Sequence, residues 1–260
     1  MPALDYSSPR LVLAMDHARN NGVITGLEDP GQVIDAALDA GVDAVMTTFG
    51  VIKHYGPRLI GRLPVFLRLD GGQTVYREKW LEYTRWEQLA SIETALELGA
   101  NGVCVMLFMG SEVELDTIRI TEKVAADALA TKLEVMCESL PCRGPSIPDR
   151  YDSKAMASAC RIGFEHGADV LKTYYTGSPE SFRHVTSNCP APILVAGGPK
   201  DKSLRDSFEL AKGSIEGGAA GLIFGRNIWQ SDNPAGMVKA LRHIMAGGPV
   251  EEALRIAAER

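Results

Sequence analysis

The chain has 260 residues, of which 45% are hydrophobic and 23% are charged. This composition is typical of a globular protein and excludes a disordered, collagen-like or coiled-coil chain. With 27 basic and 33 acidic residues the formal net charge is −6, so we expect no nucleic-acid partner and no membrane partner. Any anionic ligand must therefore bind at a local site.

Eight short apolar runs rich in Val, Ile, Leu and Phe predict buried parallel strands. They occupy residues 11–16, 42–48, 64–69, 102–107, 133–138, 168–172, 192–196 and 220–224. Segments of helical period alternate with them, at residues 30–40, 51–60, 86–98, 112–131, 153–166, 179–187, 201–216 and 234–246. Eight strand–helix units in this length predict an α/β fold, the (β/α)8 TIM barrel, as a single domain over residues 1–260. An open doubly wound sheet competes with it, but such a sheet usually has a glycine-rich turn after its first strand.

A partial repeat supports this division of the chain. The segments DAGVDAVM, ELGANGVCV, EHGADVLK and EGGAAGLIF each place glycine where a predicted helix ends and a predicted strand begins. Glycine suits a helix C-terminus because it accepts positive φ without a Cβ clash.

The five cysteines are an odd number without a C-x-x-C pair, which favours a reduced, cytoplasmic chain. The first ten residues, MPALDYSSPR, do not resemble a secretion signal, and no apolar stretch approaches roughly 20 residues. The five histidines are scattered, with no ligand pair at useful spacing. We therefore expect a soluble cytoplasmic protein with no metal site and no cofactor.

Lys172 is the sharpest single feature, because it closes the short buried run ADVLK. A lysine there must meet a counter-ion or be partly neutral, since burial disfavours the ammonium form. A neutral amine at a barrel mouth is what Schiff-base chemistry with a carbonyl substrate requires. The alternative is a structural lysine whose ammonium reaches solvent and pairs with a carboxylate.

Other polar residues follow the predicted strands, and the strand ends of a barrel meet at one mouth. Asp16 ends the first strand, where it could transfer a proton, hold the lysine charge or cap the next turn. His17 could orient a substrate hydroxyl or phosphate, or only bond within its loop. Glu138 ends the fifth strand as an acid–base group, a lysine partner or a cap. Nearby Cys142 has no recognisable base partner and is expected to be a spectator.

Two late segments predict an anion site. AGGPK, containing Gly197 and Gly198, follows the seventh strand, and Gly225-Arg226 follows the eighth. Barrels frequently bind phosphate with the loops after these two strands, through backbone N–H groups at glycines. Arg226 could add a charge-assisted bond to a phosphate oxygen.

Together these motifs resemble the class I aldolases of the DhnA type. That group includes archaeal-type fructose-bisphosphate aldolases, aminodideoxyheptulosonate synthase and the autoinducer-2 pathway thiolase. The resemblance rests on LAMDH, GADVLKTYYTGSPESF, LVAGGPK and GLIFGRNIWQ, which occur in the family's order. It implies a Schiff-base lysine at Lys172, an acid–base or lysine-tuning carboxylate at Asp16, and a phosphate cradle at Gly197, Gly198, Gly225 and Arg226. It also implies a homo-oligomer.

The sequence departs from the family after the fifth strand. Sugar aldolases resemble W-S-Y-P-R-G there, with the tyrosine as proton donor, whereas this chain has ESLPCRG with Leu140 near the tyrosine position. Glu138 or a hydroxyl of Tyr174 or Tyr175 could replace the missing acid, or the reaction could need no such donor. The third strand differs too, ending in RLDGG, so fructose 1,6-bisphosphate does not follow as the substrate.

The leading hypothesis is a metal-independent class I aldolase, a carbon–carbon lyase acting on a phosphorylated keto-sugar or related keto-phosphate. Lys172 would form the imine, Asp16 would move or tune a proton, and Glu138 would be a second acid. One alternative is a thiolase-like acyl transfer on a phosphorylated diketone that uses the same lysine. Another is a sugar-phosphate-binding barrel without catalysis.

Overall fold

A closed barrel of parallel strands is the centre of the computed structural model, which describes residues 3–77, 85–198 and 203–259. The strands are β1 (Arg10–Ala14), β2 (Ala44–Thr47), β3 (Val65–Arg68), β4 (Asp70–Gly72), β5 (Trp86–Gln88), β6 (Gly102–Met109), β7 (Glu134–Pro141), β8 (Val170–Thr173), β9 (Ile193–Ala196) and β10 (Gly221–Phe224). Around the barrel the order is β1-β10-β9-β8-β7-β6-β3-β2, and β4 pairs antiparallel with β5 outside it. The predicted (β/α)8 fold is confirmed.

Helices alternate with the barrel strands. They are α1 (Ala18–Asn21), α2 (Pro30–Ala40), α3 (Phe49–Leu59), α4 (Ile92–Glu97), α5 (Glu114–Ala128), α6 (Ser153–Glu165), α7 (Pro179–Ser187), α8 (Leu204–Glu216), α9 (Arg226–Trp229), α10 (Pro234–Met245) and α11 (Val250–Ala258). Each of the eight predicted helical segments overlaps one of these helices, whereas α1, α9 and α11 were not predicted.

The repeated glycines end helices as expected. Gly41, Gly99, Gly167 and Gly218 have φ angles of 89°, 74°, 91° and 91°, the left-handed region that a Cβ disfavours. After each of them the chain turns into β2, β6, β8 or β10. The repeat is therefore one helix-to-strand turn used four times.

One predicted helix was too long. The segment 86–98 was expected to be helical throughout, but Trp86–Gln88 forms β5 and pairs with β4. Helix α4 begins only after Ser91, whose hydroxyl accepts a hydrogen bond from the Thr94 N–H. The β4–β5 hairpin brings Trp86 to Asp70, and the indole Nε1–H donates to Oδ2 of Asp70 at 2.8 Å.

Side-chain alternation along the strands separates two cores. The outer core joins strands to helices, and the inner core is a buried cluster with one or two residues from each barrel strand. The inner cluster contains Leu4, Val12, Ala14, Ala44, Met46, Phe66, Cys104, Met136, Val170, Leu194 and Ile223. Two residues further along four of these strands, on the same inward side, stand Asp16, Arg68, Glu138 and Lys172. A polar layer therefore lies on top of the apolar filling, at the carboxyl ends of the strands.

All five cysteines are free and buried. Among the residues that the structure describes, no helix is both long and apolar enough to cross a bilayer. That residues 1–260 form one domain stays a prediction.

Candidate active site

Lys172 lies in β8 with only 5% of its surface exposed. The parallel register of β7 and β8 sets it directly beside Glu138, and its Nζ is 2.8 Å from Oε2 of Glu138. The sequence left two alternatives for this buried lysine, a counter-ion or a neutral amine. The structure gives it a buried counter-ion.

Arg68 is the centre of the polar layer, and its side chain is 1% exposed. Its Nε donates to Oδ2 of Asp16 at 2.9 Å, and its Nη2 donates to the same Glu138 oxygen that contacts Lys172. Its Nη1 is 3.6 Å from Oδ1 of Asp70. A planar guanidinium with several fixed donors suits this branched contact. Arg68 thereby joins Asp16 of β1 to the Lys172–Glu138 pair on the far side of the barrel.

The cations keep two of these buried carboxyls ionised. Burial opposes ionisation of Asp16, but Arg68 and Lys172 outweigh it and hold the pKa of Asp16 well below its usual range. Burial likewise opposes ionisation of Glu138, but Lys172 and Arg68 hold its pKa below the usual value. For Asp70 burial prevails, and its pKa is raised despite Arg68 and Arg19.

The sequence predicted Glu138 as a second acid, and that role stays a prediction. A carboxyl with a lowered pKa is ionised near neutral pH, so it has no proton to donate until it has accepted one. Of the three uses considered from sequence, the contact to Nζ of Lys172 is that of a lysine partner.

His17 connects the polar layer to the turn after β10. Its Nδ1 lies 3.5 Å from Oδ1 of Asp16, and its ring meets Trp229 edge-on at 5.4 Å. Burial lowers the pKa of His17 although Asp16 opposes the shift, so the imidazole is neutral near pH 7. Nδ1 makes no hydrogen bond within the described residues. This nitrogen therefore does not support the alternative in which His17 only forms hydrogen bonds within its own loop.

The structure brings the two predicted anion-binding turns together. The Asn227 side chain, just after β10, donates a hydrogen bond to the Gly197 carbonyl at 2.9 Å. A Cβ on Gly225 would lie 2.6 Å from the Ala14 carbonyl oxygen, so glycine is required there for packing. Gly198 has φ 73°, and a Cβ on it would meet no atom of the described residues within 4 Å.

Arg226 follows Gly225 and is partly buried. Its Nε is buried and hydrogen-bonds no residue in the described ranges. Such a donor suits an anion in the adjoining space. Pro199 and Lys200, the last two residues of the predicted AGGPK turn, lie outside the described residues.

The tyrosines after β8 point to different places. The Tyr175 ring packs on Phe182 at 5.6 Å, and its hydroxyl abuts Gly213 of α8. It therefore lies between α7 and α8 rather than over Lys172, which argues against it as the missing acid. Tyr174 packs against Tyr151 at 5.7 Å and against the apolar cluster that contains Leu140.

Leu140, which stands near the position where the resemblance implies a tyrosine, is buried among Met106, Phe108 and Cys142. Burial raises the pKa of the Cys142 thiol, in agreement with the expected spectator.

Sequence reasoning noticed Arg68 and Asp70 as strand-end residues but gave them no role in the site, and it passed over Arg19. A signal for Arg68 was present, since it stands two residues after Phe66 and must share the inward side of β3. Its partners Asp16 and Glu138 are 52 and 70 residues away in sequence, so the contacts themselves could be seen only in the structure.

The sequence is similar to proteins of a known family. The family model described as DeoC/LacD family aldolase matches residues 10–231. The fructose-bisphosphate aldolase class 1 of Thermoproteus tenax is 31% identical over 244 residues, covering 92% of this chain and 90% of that protein. The 2-amino-3,7-dideoxy-D-threo-hept-6-ulosonate synthase of Halobacterium salinarum is 31% identical over 235 residues, covering 90% and 86%.

Solved structures of archaeal fructose-1,6-bisphosphate aldolases are also similar to this chain. The crystal structure of an archaeal fructose 1,6-bisphosphate aldolase superposes with a TM-score of 0.84 at 30% identity, covering 93% of this chain and 95% of that one. A second archaeal structure holds the catalytic lysine covalently bound to the carbinolamine intermediate of the substrate. It superposes with a TM-score of 0.82 at 29% identity, covering 92% and 94%.

Proposed function

The chain belongs to the DeoC/LacD family of aldolases, and from that premise we propose that Lys172 is the Schiff-base lysine of a class I aldolase acting on a phosphorylated keto compound. The observation that carries the assignment is the buried contact of 2.8 Å between Nζ of Lys172 and Glu138. It places an amine beside a proton acceptor, at the end of a barrel strand where substrates bind.

The first step needs the lysine lone pair. Glu138 accepts one proton from Nζ of Lys172, and the freed amine adds to the ketone carbon while a second Nζ proton passes to the ketone oxygen, which gives a carbinolamine. Glu138 returns its proton to the carbinolamine hydroxyl, which leaves as water, and an iminium ion remains on Lys172. The iminium withdraws the electron pair of the adjacent C–C bond when that bond breaks, so a carbanion never has to stand alone.

Asp16 is the second proton-transfer group in this proposal. Cleavage requires a base for the hydroxyl on the carbon that becomes the aldehyde, and the lowered pKa of Asp16, which Arg68 and Lys172 maintain against burial, keeps its carboxylate available. Arg68 holds Asp16 through Nε and Glu138 through Nη2, so it fixes both carboxylates relative to Lys172. We regard Arg68 as a positioning residue.

The substrate phosphate is assigned to the turns after β9 and β10. Three observations on the described residues support this. None of them occupies the space beside Gly198, none accepts a hydrogen bond from Nε of Arg226, and the bond between Asn227 and Gly197 couples the two turns. His17, next to Gly225, is suited as a neutral imidazole to bond the substrate near that phosphate. Gly197 and Gly225 contribute because, without a Cβ, their backbone can lie close to neighbouring residues.

Borohydride trapping tests the proposal. Wild-type protein incubated with dihydroxyacetone phosphate or fructose 1,6-bisphosphate and then reduced is expected to gain a covalent adduct, which peptide mass spectrometry places on Lys172. Lys172→Met should lose the adduct and all turnover, whereas Lys154→Met, a change at an exposed lysine of α6, should keep both. Full turnover by Lys172→Met would overturn the assignment.

A thiolase-like acyl transfer is the second candidate, favoured by one observation. Leu140 buries an apolar side chain where a sugar aldolase would place its tyrosine acid. In that reaction Lys172 would act as a charge, and a phosphorylated diketone would be turned over without a reducible adduct. Trapping with a keto-phosphate therefore separates the two.

We further propose that the protein works as a cytoplasmic homo-oligomer with a small phosphorylated keto compound as its partner. The five free cysteines support a reducing compartment. Light scattering of the purified protein tests the oligomer, and a mass of one chain of 260 residues would contradict it.

A further inference from the structure

The β4–β5 hairpin reaches the polar layer through Asp70 and Trp86. Asp70 stands two residues after Arg68 and is fully buried. We propose that Asp70 and Trp86 are positioning residues, which hold Arg68 in the orientation that proton transfer between Lys172 and Glu138 requires. This inference rests on the proposed function and adds to that site two residues that act through Arg68.

Two N–H groups fix the carboxyl of Asp70. The indole Nε1–H of Trp86 donates to Oδ2 at 2.8 Å, and the backbone N–H of Met106 donates to the same oxygen at 2.6 Å. Met106 lies in register with Glu138 of β7, and Glu138 lies in register with Lys172 of β8. The bond from Met106 therefore ties Asp70 to the level of the barrel at which the reacting amine stands.

The other oxygen of Asp70 faces Arg68. Oδ1 lies 3.6 Å from Nη1 of Arg68, and neither atom makes a hydrogen bond within the described residues. The remaining two nitrogens of the guanidinium donate to Asp16 and Glu138. A planar guanidinium that meets a carboxyl at each of three corners cannot rotate without loosening one of these contacts. Movement of Asp70 would therefore move Nη2 relative to Glu138.

The indole ring of Trp86 is itself held by its neighbours. Phe108 meets it edge-on at 4.9 Å, and the Arg19 guanidinium lies 5.8 Å from the ring centre. On β4, a Cβ on Gly72 would lie 2.5 Å from the indole Cε3, so glycine is needed for the ring to lie this close to the strand. The RLDGG motif at the end of β3 thus supplies both the carboxyl of Asp70 and the space for its donor.

Loss of the indole N–H changes the charge around Arg68 in one direction. Burial raises the pKa of Asp70, and the Trp86 hydrogen bond is one of the contacts that oppose this shift. Without that bond Asp70 is protonated more readily, and the charge of Arg68 is then shared by fewer carboxylates. A Glu138 carboxylate held more tightly by Arg68 is a weaker base for the Lys172 ammonium, so the adduct on Lys172 forms more slowly.

Trp86→Phe tests this step, because it removes the N–H and keeps an aromatic ring against Phe108. In single-turnover borohydride trapping with dihydroxyacetone phosphate, the maximal rate of adduct formation on Lys172 should fall by about 10-fold, and the half-saturating ketone concentration should change by less than about twofold. Arg85→Gln alters an exposed side chain next to Trp86 and should leave both values unchanged. A purely structural tryptophan would lower the melting temperature and leave the rate of the folded protein unchanged.

A double-mutant cycle tests whether Trp86 acts through Asp70. Asp70→Asn keeps the shape of the side chain and removes its charge, and it should slow adduct formation at least as much as Trp86→Phe. The double variant should be no slower than Asp70→Asn alone, because both changes act on the same carboxyl. Gly72→Ala, whose methyl group displaces the indole, should reproduce the loss seen in Trp86→Phe. Losses that multiply in the double variant, or an unchanged rate in Trp86→Phe, would overturn the proposal.

A measurement on the free amine keeps the proposal testable without a substrate. Reductive methylation with formaldehyde and cyanoborohydride, followed by peptide mass spectrometry, compares Lys172 with the exposed Lys154 of the same chain. Trp86→Phe should lower the labelling of Lys172 relative to Lys154 by about 10-fold, and an equal ratio in wild type and variant would refute the proposal. Absence of the dihydroxyacetone phosphate adduct in the wild type would count against the Schiff base alone, since the labelling ratio does not depend on that reaction.

Discussion

Replacing Arg68 by methionine removes the cation that contacts both Asp16 and Glu138. Methionine keeps much of the side-chain volume and fills irregular space, so the change is mainly one of charge and hydrogen bonding. The three buried carboxyls of Asp16, Asp70 and Glu138 would then be left with two cations of the polar layer, Lys172 and Arg19. We expect Arg68→Met to destabilise the fold strongly at neutral pH.

The magnitude follows from the contacts. At an effective dielectric constant of about 20, an ion pair at the 2.9 Å of Arg68–Asp16 is worth about 6 kcal/mol, and one at the 3.6 Å of Arg68–Asp70 about 5 kcal/mol. Returning the guanidinium to water on unfolding regains several kcal/mol, which offsets much of this attraction. Removing one partner of a buried network usually costs about 3 to 5 kcal/mol, and we expect that loss in the free energy of unfolding.

The dependence on pH distinguishes this cause from a simple packing defect. Asp16 and Glu138 have lowered pKa values because Arg68 and Lys172 outweigh burial, so their stabilising effect is present above their ordinary values of 3.8 and 4.5 and is lost at lower pH. In the variant these buried carboxyls are easier to protonate, and acid relieves their repulsion. The difference between wild type and Arg68→Met should therefore narrow as the pH falls from 7 towards 4.

Urea unfolding followed by tryptophan fluorescence at several pH values measures this difference. Arg85→Met is the matched control, since Arg85 is exposed and its contact with Glu87 should contribute less than about 1 kcal/mol. A loss below about 1 kcal/mol for Arg68→Met at pH 7, or a larger loss that is the same at pH 4, would refute the electrostatic account of the polar layer.

Three further predictions concern the proposed reaction. Glu138→Gln should slow formation of the reducible adduct on Lys172 by about 100-fold or more, because the proton acceptor is lost. A quenched time course measures this rate, and an unchanged rate would exclude Glu138 as the base. The proposed base Glu138 must be ionised, and Lys172 and Arg68 hold its pKa below 4.5 although burial opposes this. Protonation of Glu138 should therefore lower kcat/KM only when the pH falls below 4.5, and a pH profile of kcat/KM checks this. Gly225→Ala should lower the melting temperature more than Gly198→Ala, because its Cβ would lie 2.6 Å from a carbonyl oxygen. A Cβ on Gly198 would meet no atom of the described residues within 4 Å and has only the smaller cost of alanine at φ 73°, so Gly198→Ala should mainly weaken binding of phosphorylated ketones, as a ligand titration beside the melting curves would show.

The barrel could be predicted because its signals are local. Each strand is a short apolar run, and Gly41, Gly99, Gly167 and Gly218 mark the helix ends by a conformation that glycine adopts readily. The β4–β5 hairpin was missed because Asp70–Gly72 and Trp86–Gln88 have neither an apolar run nor a tight turn between them. Their pairing is decided by tertiary contacts, including the bond from Trp86 to Asp70.

The site could be predicted only to the level of which polar residues stand in or just after the carboxyl-terminal parts of strands. Lys172, Asp16 and Glu138 are recognisable as polar groups at the ends of buried runs. Which of them touch depends on strand register, since a slip of one residue would turn a side chain to the other face. The register that pairs Glu138 with Lys172 and aims Arg68 inward is a property of the closed barrel rather than of any one segment.

The proposed reaction leaves the total charge of the polar layer unchanged. The groups of this layer are the carboxyls of Asp16, Asp70 and Glu138 and the cations of Arg19, Arg68 and Lys172. A proton that passes from Lys172 to Glu138 leaves their sum unchanged, and an iminium restores the positive charge on Lys172. The chemistry itself therefore brings no net charge into a poorly solvated site.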